Sequence, residues 1–111
     1  MNRFWVLVLP LLVGCGEIDH RDYVASRASA ECAKYRTCAQ GYYESEFRDH
    51  DDCLDDVGDA LNDLEDTVYD GCDYDGVEAR ACVSRIRGMS CEDFAEGDAG
   101  SACDLVWDCR N

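Results

Sequence analysis

The side chains with the widest chemical repertoire in this 111-residue chain are nine cysteines: Cys15, Cys32, Cys38, Cys53, Cys72, Cys82, Cys91, Cys103 and Cys109. A thiolate can hold a metal, attack a substrate, accept a lipid or pair with another sulfur. Structural zinc sites draw on close pairs such as C-x2-C or C-x4-C, because one tetrahedral ion must reach both ligands. No two cysteines here stand that close. A nucleophile needs a base with an orienting partner, and the only histidines are His20 and His50. Both read as solvated surface residues, His20 beside a charged N-terminal stretch and His50 within Arg48-Asp49-His50-Asp51-Asp52. The expectation is therefore no enzyme and no cofactor, with the cysteines spent on cross-links. Nine is odd, so one cysteine must have another fate.

The other group that could do chemistry is the carboxylate-rich stretch Asp70-Gly71-Cys72-Asp73-Tyr74-Asp75-Gly76-Val77-Glu78. An EF-hand loop has glycine at its sixth position, oxygen ligands at positions one, three and five, and a bidentate glutamate at twelve. With Gly76 at position six, Asp75 and Asp73 fall on ligand positions. Position one is then Gly71 and position twelve is Cys82, so the two strongest ligands are absent. Weak divalent-cation binding here or on the acidic helix is a secondary reading. The primary one is helix capping and solubility.

The chain opens with Met1-Asn2-Arg3 and continues through an apolar run from Phe4 to Val13. A charged tip followed by about 7–15 apolar residues has the form of an export signal, and it is shorter than the roughly 17–25 residues a membrane span requires. Leu12-Val13-Gly14-Cys15 resembles the lipobox of bacterial lipoproteins. That resemblance implies cleavage before Cys15, acylation of Cys15 and a membrane anchor. It also implies the outer membrane, since Gly16 replaces the aspartate that holds many such proteins at the inner one. A cleaved ordinary signal, or a buried apolar helix ending at Cys15, are the alternatives, and neither accounts for the odd cysteine. The division expected is residues 1–14 as signal, 15–20 as acylated cysteine and tether, and 21–111 as one cysteine-rich domain.

Cleavage leaves 97 residues, enough for one domain and near the size where cross-links matter. Eight remaining cysteines point to four disulfides and an oxidising compartment, the cell envelope. Loss of Arg3 turns 25 acidic against 10 basic residues into 25 against 9, a net charge of −16. A surface of that sign excludes nucleic acid as a partner. It also gives no attraction to anionic headgroups, so the acyl group on Cys15 alone is expected to tether the domain.

Helices must position these groups. Val24, Ala28, Cys32, Tyr35 and Ala39 recur at helical spacing, and Gln40 to Ser45 reads as a loop. From Asp49 to Tyr69 the stripe Leu54, Val57, Leu61, Leu64 and Val68 is the strongest periodic signal, with Asp49, Asp51 and Asp52 at the positive end of the helix dipole. Asp75-Gly76-Val77-Glu78 has the form of a capping box opening a helix to Gly88. Ser90-Cys91-Glu92-Asp93 begins a short helix that Gly97 ends, and a last turn is expected around Leu105, Val106 and Trp107. No strand pattern is evident. The fold class is all-α, a small disulfide-stapled bundle of three main helices with short C-terminal ones. Between Asp49 and Ala79 there are thirteen carboxylates and no Lys or Arg, so the acidic second helix is expected to lie between the more basic first and third.

Bridged cysteines need Cα atoms about 4.4–6.8 Å apart. Cys32 and Cys38 on one helix differ by a rise of about 9 Å and a turn of about 240°, so they cannot bond each other. An antiparallel hairpin turning near Ser45 would bring Cys38 to Cys53, the pairing favoured here. Cys103 and Cys109 could close a terminal loop.

The chain as a whole resembles the small cysteine-rich proteins with lipoprotein signals that are abundant in myxobacteria. The likeness rests on the lipobox, on Cys32-Ala33-Lys34-Tyr35-Arg36-Thr37-Cys38, and on Cys72-Asp73-Tyr74-Asp75 with Ala81-Cys82 and Ser90-Cys91-Glu92-Asp93-Phe94. It implies an address and no catalytic residues. The function expected is that of an envelope binding or protein-interaction module, with a structural envelope protein as the alternative. The candidate face is Tyr42, Tyr43, Asp55, Asp59 and Asp63, and the partner expected has a basic surface. Cys15→Ser should remove the acyl group and release the protein from the membrane fraction or stall its processing; unchanged fractionation with an unlipidated N-terminus would refute the anchor.

Overall fold

The structure, a computed structural model, describes residues 16–110, so Cys15 and the signal lie outside the described residues. The elements run α1 (His20–Cys38), α2 (Gln40–Glu46), α3 (His50–Thr67), β1 (Asp73–Tyr74), α4 (Gly76–Gly88), α5 (Cys91–Ala95), α6 (Asp98–Ser101) and β2 (Trp107–Asp108). The fold is mostly helical, with three main helices and short ones between and after them. Two elements depart from expectation. Residues 40–46 form the short helix α2 and not a loop. Trp107 sits in a two-residue antiparallel ladder, with Asp73 opposite Asp108 and Tyr74 opposite Trp107, and not in a last helical turn. Strands this short carry no alternation that a sequence pattern could reveal.

Capping explains where the helices begin. The Asp19 carboxylate accepts from the Asp22 amide, Asp49 from Asp52, and Ser90 Oγ from Asp93. Asp75 accepts from both Val77 and Glu78. Each such cap is worth about 1 kcal/mol. The reciprocal arm of the capping box is not made, since Glu78 Oε1 is enclosed and has no hydrogen-bond partner.

Helix α1 is the centre of the domain. Val24, Ala28 and Cys32 face α3, while Tyr23 and Ala30 enter the core built on α4. At about 100° per residue, Tyr23 of the larger core and Cys32 of the smaller point about 180° apart, so one helix serves two cores on opposite sides. The larger core gathers Tyr23, Ala30, Ala79, Cys82, Val83, Ile86, Ala99, Cys103 and Val106. The smaller gathers Cys32, Phe47 and Cys53, with Tyr35, Tyr43, Leu54 and Val57 against them. Helices α3 and α4 flank α1 and scarcely touch each other. This corrects the expected order, in which the acidic helix stood in the middle. With α1 as its one extensive helical neighbour among the described residues, α3 leaves Leu64 40% exposed and its C-cap Val68 60% exposed.

All eight cysteines of the domain are paired, as Cys32–Cys53, Cys38–Cys91, Cys72–Cys109 and Cys82–Cys103, with Cα separations of 6.1, 5.2, 4.4 and 4.7 Å. Four bridges were expected; the favoured Cys38–Cys53 pairing and the Cys103–Cys109 loop are not formed. The reason is register. With α2 helical, the α1/α3 hairpin is symmetric about Tyr42 and Tyr43, about three residues earlier than a turn at Ser45. That shift moves the partner of Cys53 from Cys38 to Cys32. Cys38, about 240° further round α1, faces α5 and bonds Cys91 instead. The same register recurs at the open end, where His20 Nε2 lies 2.7 Å from Glu65 Oε2. Both contacts are twelve residues apart on each helix, about 18 Å of rise, so the two helices stay in step.

Non-reducing peptide mapping should recover these four linkages and no free thiol among the eight. Replacing Cys32 and Cys53 together by alanine should cost about 3 kcal/mol, the loop-closure value for a 21-residue separation, read from chemical denaturation. A peptide joining Cys38 to Cys53 would contradict the hairpin register.

Candidate functional site

Three of the five candidate residues share one face of α3. Asp55, Asp59 and Asp63 follow each other at four-residue spacing and are exposed. Asp55 and Asp59 form one wall of a groove of about 450 Å3 between α3 and α1. Its floor is Val24, Ala25, Ala28, Leu54 and Gly58, and its far wall carries Arg21 and Ser29. The groove is open because the facing residues are small: a Cβ on Gly58 would meet only Val24 Cγ1, at 3.9 Å. The carboxylates were legible from composition. The floor was not, because Ala25, Ser29 and Gly58 stand out in no periodic pattern.

The two tyrosines lie elsewhere, on α2. Tyr43 is partly buried beside Phe47, with its hydroxyl 2.8 Å from His50 Nδ1, so it covers the smaller core. Tyr42 is 50% exposed and packs its ring on Tyr35 and Phe47. The structure thus does not join tyrosines and aspartates into one face. Neither histidine is a free surface residue: His50 pairs with Tyr43, and His20 pairs with Glu65 while its ring meets those of Tyr74 and Trp107 at 5.5 and 5.6 Å.

The loop weighed for calcium is engaged otherwise. Asp75 Oδ1 is held by two α4 amides, and Asp73 stands in the β1/β2 ladder. Among the described residues the one cluster with metal-like spacing is Asp93, Glu96 and Asp98 around α5 and α6, whose carboxylate oxygens lie within 4.8 Å of one another. Acidic groups at a loop of an acidic protein gather in this way without a ligand.

A second feature was not visible in the sequence. The stretch before α1, read as a tether, is tied to the domain. The Ile18 amide donates to the Gly76 carbonyl at 3.2 Å, and the Tyr74 hydroxyl donates to the Ile18 carbonyl at 2.8 Å. The chain crosses Gly76 so closely that a Cβ there would stand 2.6 Å from the Ile18 oxygen. Burial, with smaller contributions from Tyr23 and Asp19, pushes the Tyr74 hydroxyl up to about 12, which extends its range as a donor beyond about pH 10.

No helix among the described residues is long and apolar enough to cross a membrane. The chain matches no protein-family model, no curated protein and no solved structure.

Two measurements test the strap. Gly76→Ala should dislodge Ile18 and destabilise the domain by about 1–3 kcal/mol, the usual cost of overpacking. The Tyr74 hydroxyl has a higher pKa folded than unfolded, so its contribution is complete below about pH 10 and is lost as pH rises toward 12. Melting temperature should therefore fall between pH 10 and 12, and fall less steeply in Tyr74→Phe. Identical alkaline slopes would contradict the assignment.

Proposed function

We propose that this protein is a lipid-anchored lipoprotein of the bacterial envelope, held at the outer membrane through Cys15, whose domain is a binding module and not an enzyme. The module's face is the α1/α3 groove with the carboxylate wall of α3, and its partner is a protein with a basic, partly apolar surface. The observation that carries this reading is that groove: an apolar floor beside Asp55 and Asp59, on a helix whose one extensive helical neighbour among the described residues is α1. Apolar contact supplies affinity, and charge complementarity supplies approach rate and choice of partner. The anchor rests on the lipobox resemblance and on cysteine parity, which the four bridges support by pairing the other eight.

A photo-cross-linking residue at Asn62, beside the groove, should trap one partner in intact cells at low salt. The yield should fall on the order of tenfold at high salt, because exposed charge pairs are screened beyond about 8 Å at physiological ionic strength. Reversal of Asp55, Asp59 and Asp63 to lysine should abolish the adduct. Reversal of Glu92, Glu96 and Asp104, which changes net charge equally, should leave it intact. Equal loss in both sets would mean that net charge, and not this groove, attracts the partner.

A further inference from the structure

The strap that pins Ile18 divides two clefts. On one side Glu17, Asp19, Tyr74 and Gly76 line an acidic cleft with Ile18. On the other, Ile18 closes the end of a groove of about 210 Å3 along α1 and α4, lined by Ser26, Arg80, Val83, Ser84 and Arg87. No carboxylate lines this second groove, in a chain with 25 of them. Arg80 and Arg87 are exposed and, like Arg36 and Arg85, make no ion pair among the described residues, whereas Arg21, Arg27, Arg48 and Arg110 each have one. Two guanidinium groups and two hydroxyls match the phosphodiester of a headgroup.

The position of this groove matters because of the chain preceding it. Cys15 is three residues before Ile18, and three residues span at most about 11 Å. The headgroup region on each side of a bilayer is about 5–8 Å thick. A chain acylated at Cys15 and pinned at Ile18 can therefore hold Ile18 at most about 3–6 Å clear of the headgroup layer, which keeps the domain close against the surface. We infer that the α1/α4 groove, with Arg80, Ser84 and Arg87, is a docking surface for phospholipid headgroups, which sets the domain on the membrane with its acidic helix facing away. This rests on the lipid-anchor reading above. Ser26 and Ala28, one in each groove, point about 200° apart on α1, while Ser29 on the wall of the α1/α3 groove stands about 60° from Ser26, so the two grooves adjoin only along the Ser26–Ser29 edge. The arrangement also keeps most of the −16 charge off an anionic surface and turns toward it two of the five basic residues that make no ion pair among the described residues.

The test uses the full chain purified from membranes and returned to vesicles of phosphatidylethanolamine and phosphatidylglycerol, after intact mass has established whether Cys15 is acylated. A photo-cross-linking residue at Ser84 should form lipid adducts, and one at Asp59 should form few or none. Arg80→Glu with Arg87→Glu should lower the Ser84 adduct yield by about fivefold or more for each charge lost, with an unchanged circular dichroism spectrum. Arg80→Ala with Arg87→Ala, a milder change, should show the same direction. An acylated chain that labels equally at Ser84 and Asp59, or is unaffected by the arginine changes, overturns the docking and leaves the anchor standing. An unacylated chain overturns the anchor, and the docking with it.

Discussion

Residues 20–38 have to satisfy two cores at once, and every other packing choice in the domain follows from that demand. A helix with one buried face can devote its remaining surface to water. Helix α1 cannot: Val24, Ala28 and Cys32 meet α3, while Tyr23 and Ala30 meet α4. Small residues fill most of these positions, which lets both neighbours approach closely and leaves each core thin. Even the charged residues of α1 are drawn in. Arg27 is largely enclosed, with Glu31 at 2.6 Å and the Tyr23 hydroxyl at 2.8 Å. Burial alone would weaken its proton affinity, and those two partners more than restore it.

Thin cores explain why the cross-links sit where they do. Cys82–Cys103 is the centre of the larger core and Cys32–Cys53 the centre of the smaller, both fully or nearly fully buried. A disulfide here is packing material as well as a constraint on the unfolded chain. The two peripheral bridges do different work: Cys72–Cys109 ties the end of the chain beside a ladder of two residues, and Cys38–Cys91 ties the end of α1 to the start of α5.

What could be read from the sequence divides along physical lines. The acidic helix was plain because it packs on one side, so its apolar residues fall in a single stripe. Only half of the core face of α1 was legible: a two-sided helix superposes two stripes, and Tyr23 and Ala30 vanish between them. Caps were legible because Asp75 and Ser90 act within three residues of themselves. Register was not, since the Cys32–Cys53 pairing depends on whether residues 40–46 coil or turn. Of the candidate binding residues, the aspartates were found by charge, whereas the floor beneath them consists of Ala and Gly, whose only signal is absence of bulk. The strap depends on Gly76 lying under Ile18, a contact between residues 58 apart that no local pattern announces.

The bridges also divide the chain into two sets of cysteines. Cys32, Cys38 and Cys53 precede the long cysteine-free interval of α3, and Cys72, Cys82, Cys91, Cys103 and Cys109 follow it. Three linkages stay within a set, and Cys38–Cys91 alone joins the two. A protease that nicks the exposed end of α3 leaves both pieces on one covalent network. That continuity passes through a single sulfur pair whose Cys91 half is exposed to solvent. A reductant that reaches it removes the one covalent link between the pieces and leaves noncovalent contacts, chiefly the packing of α1 on α4, to hold them together.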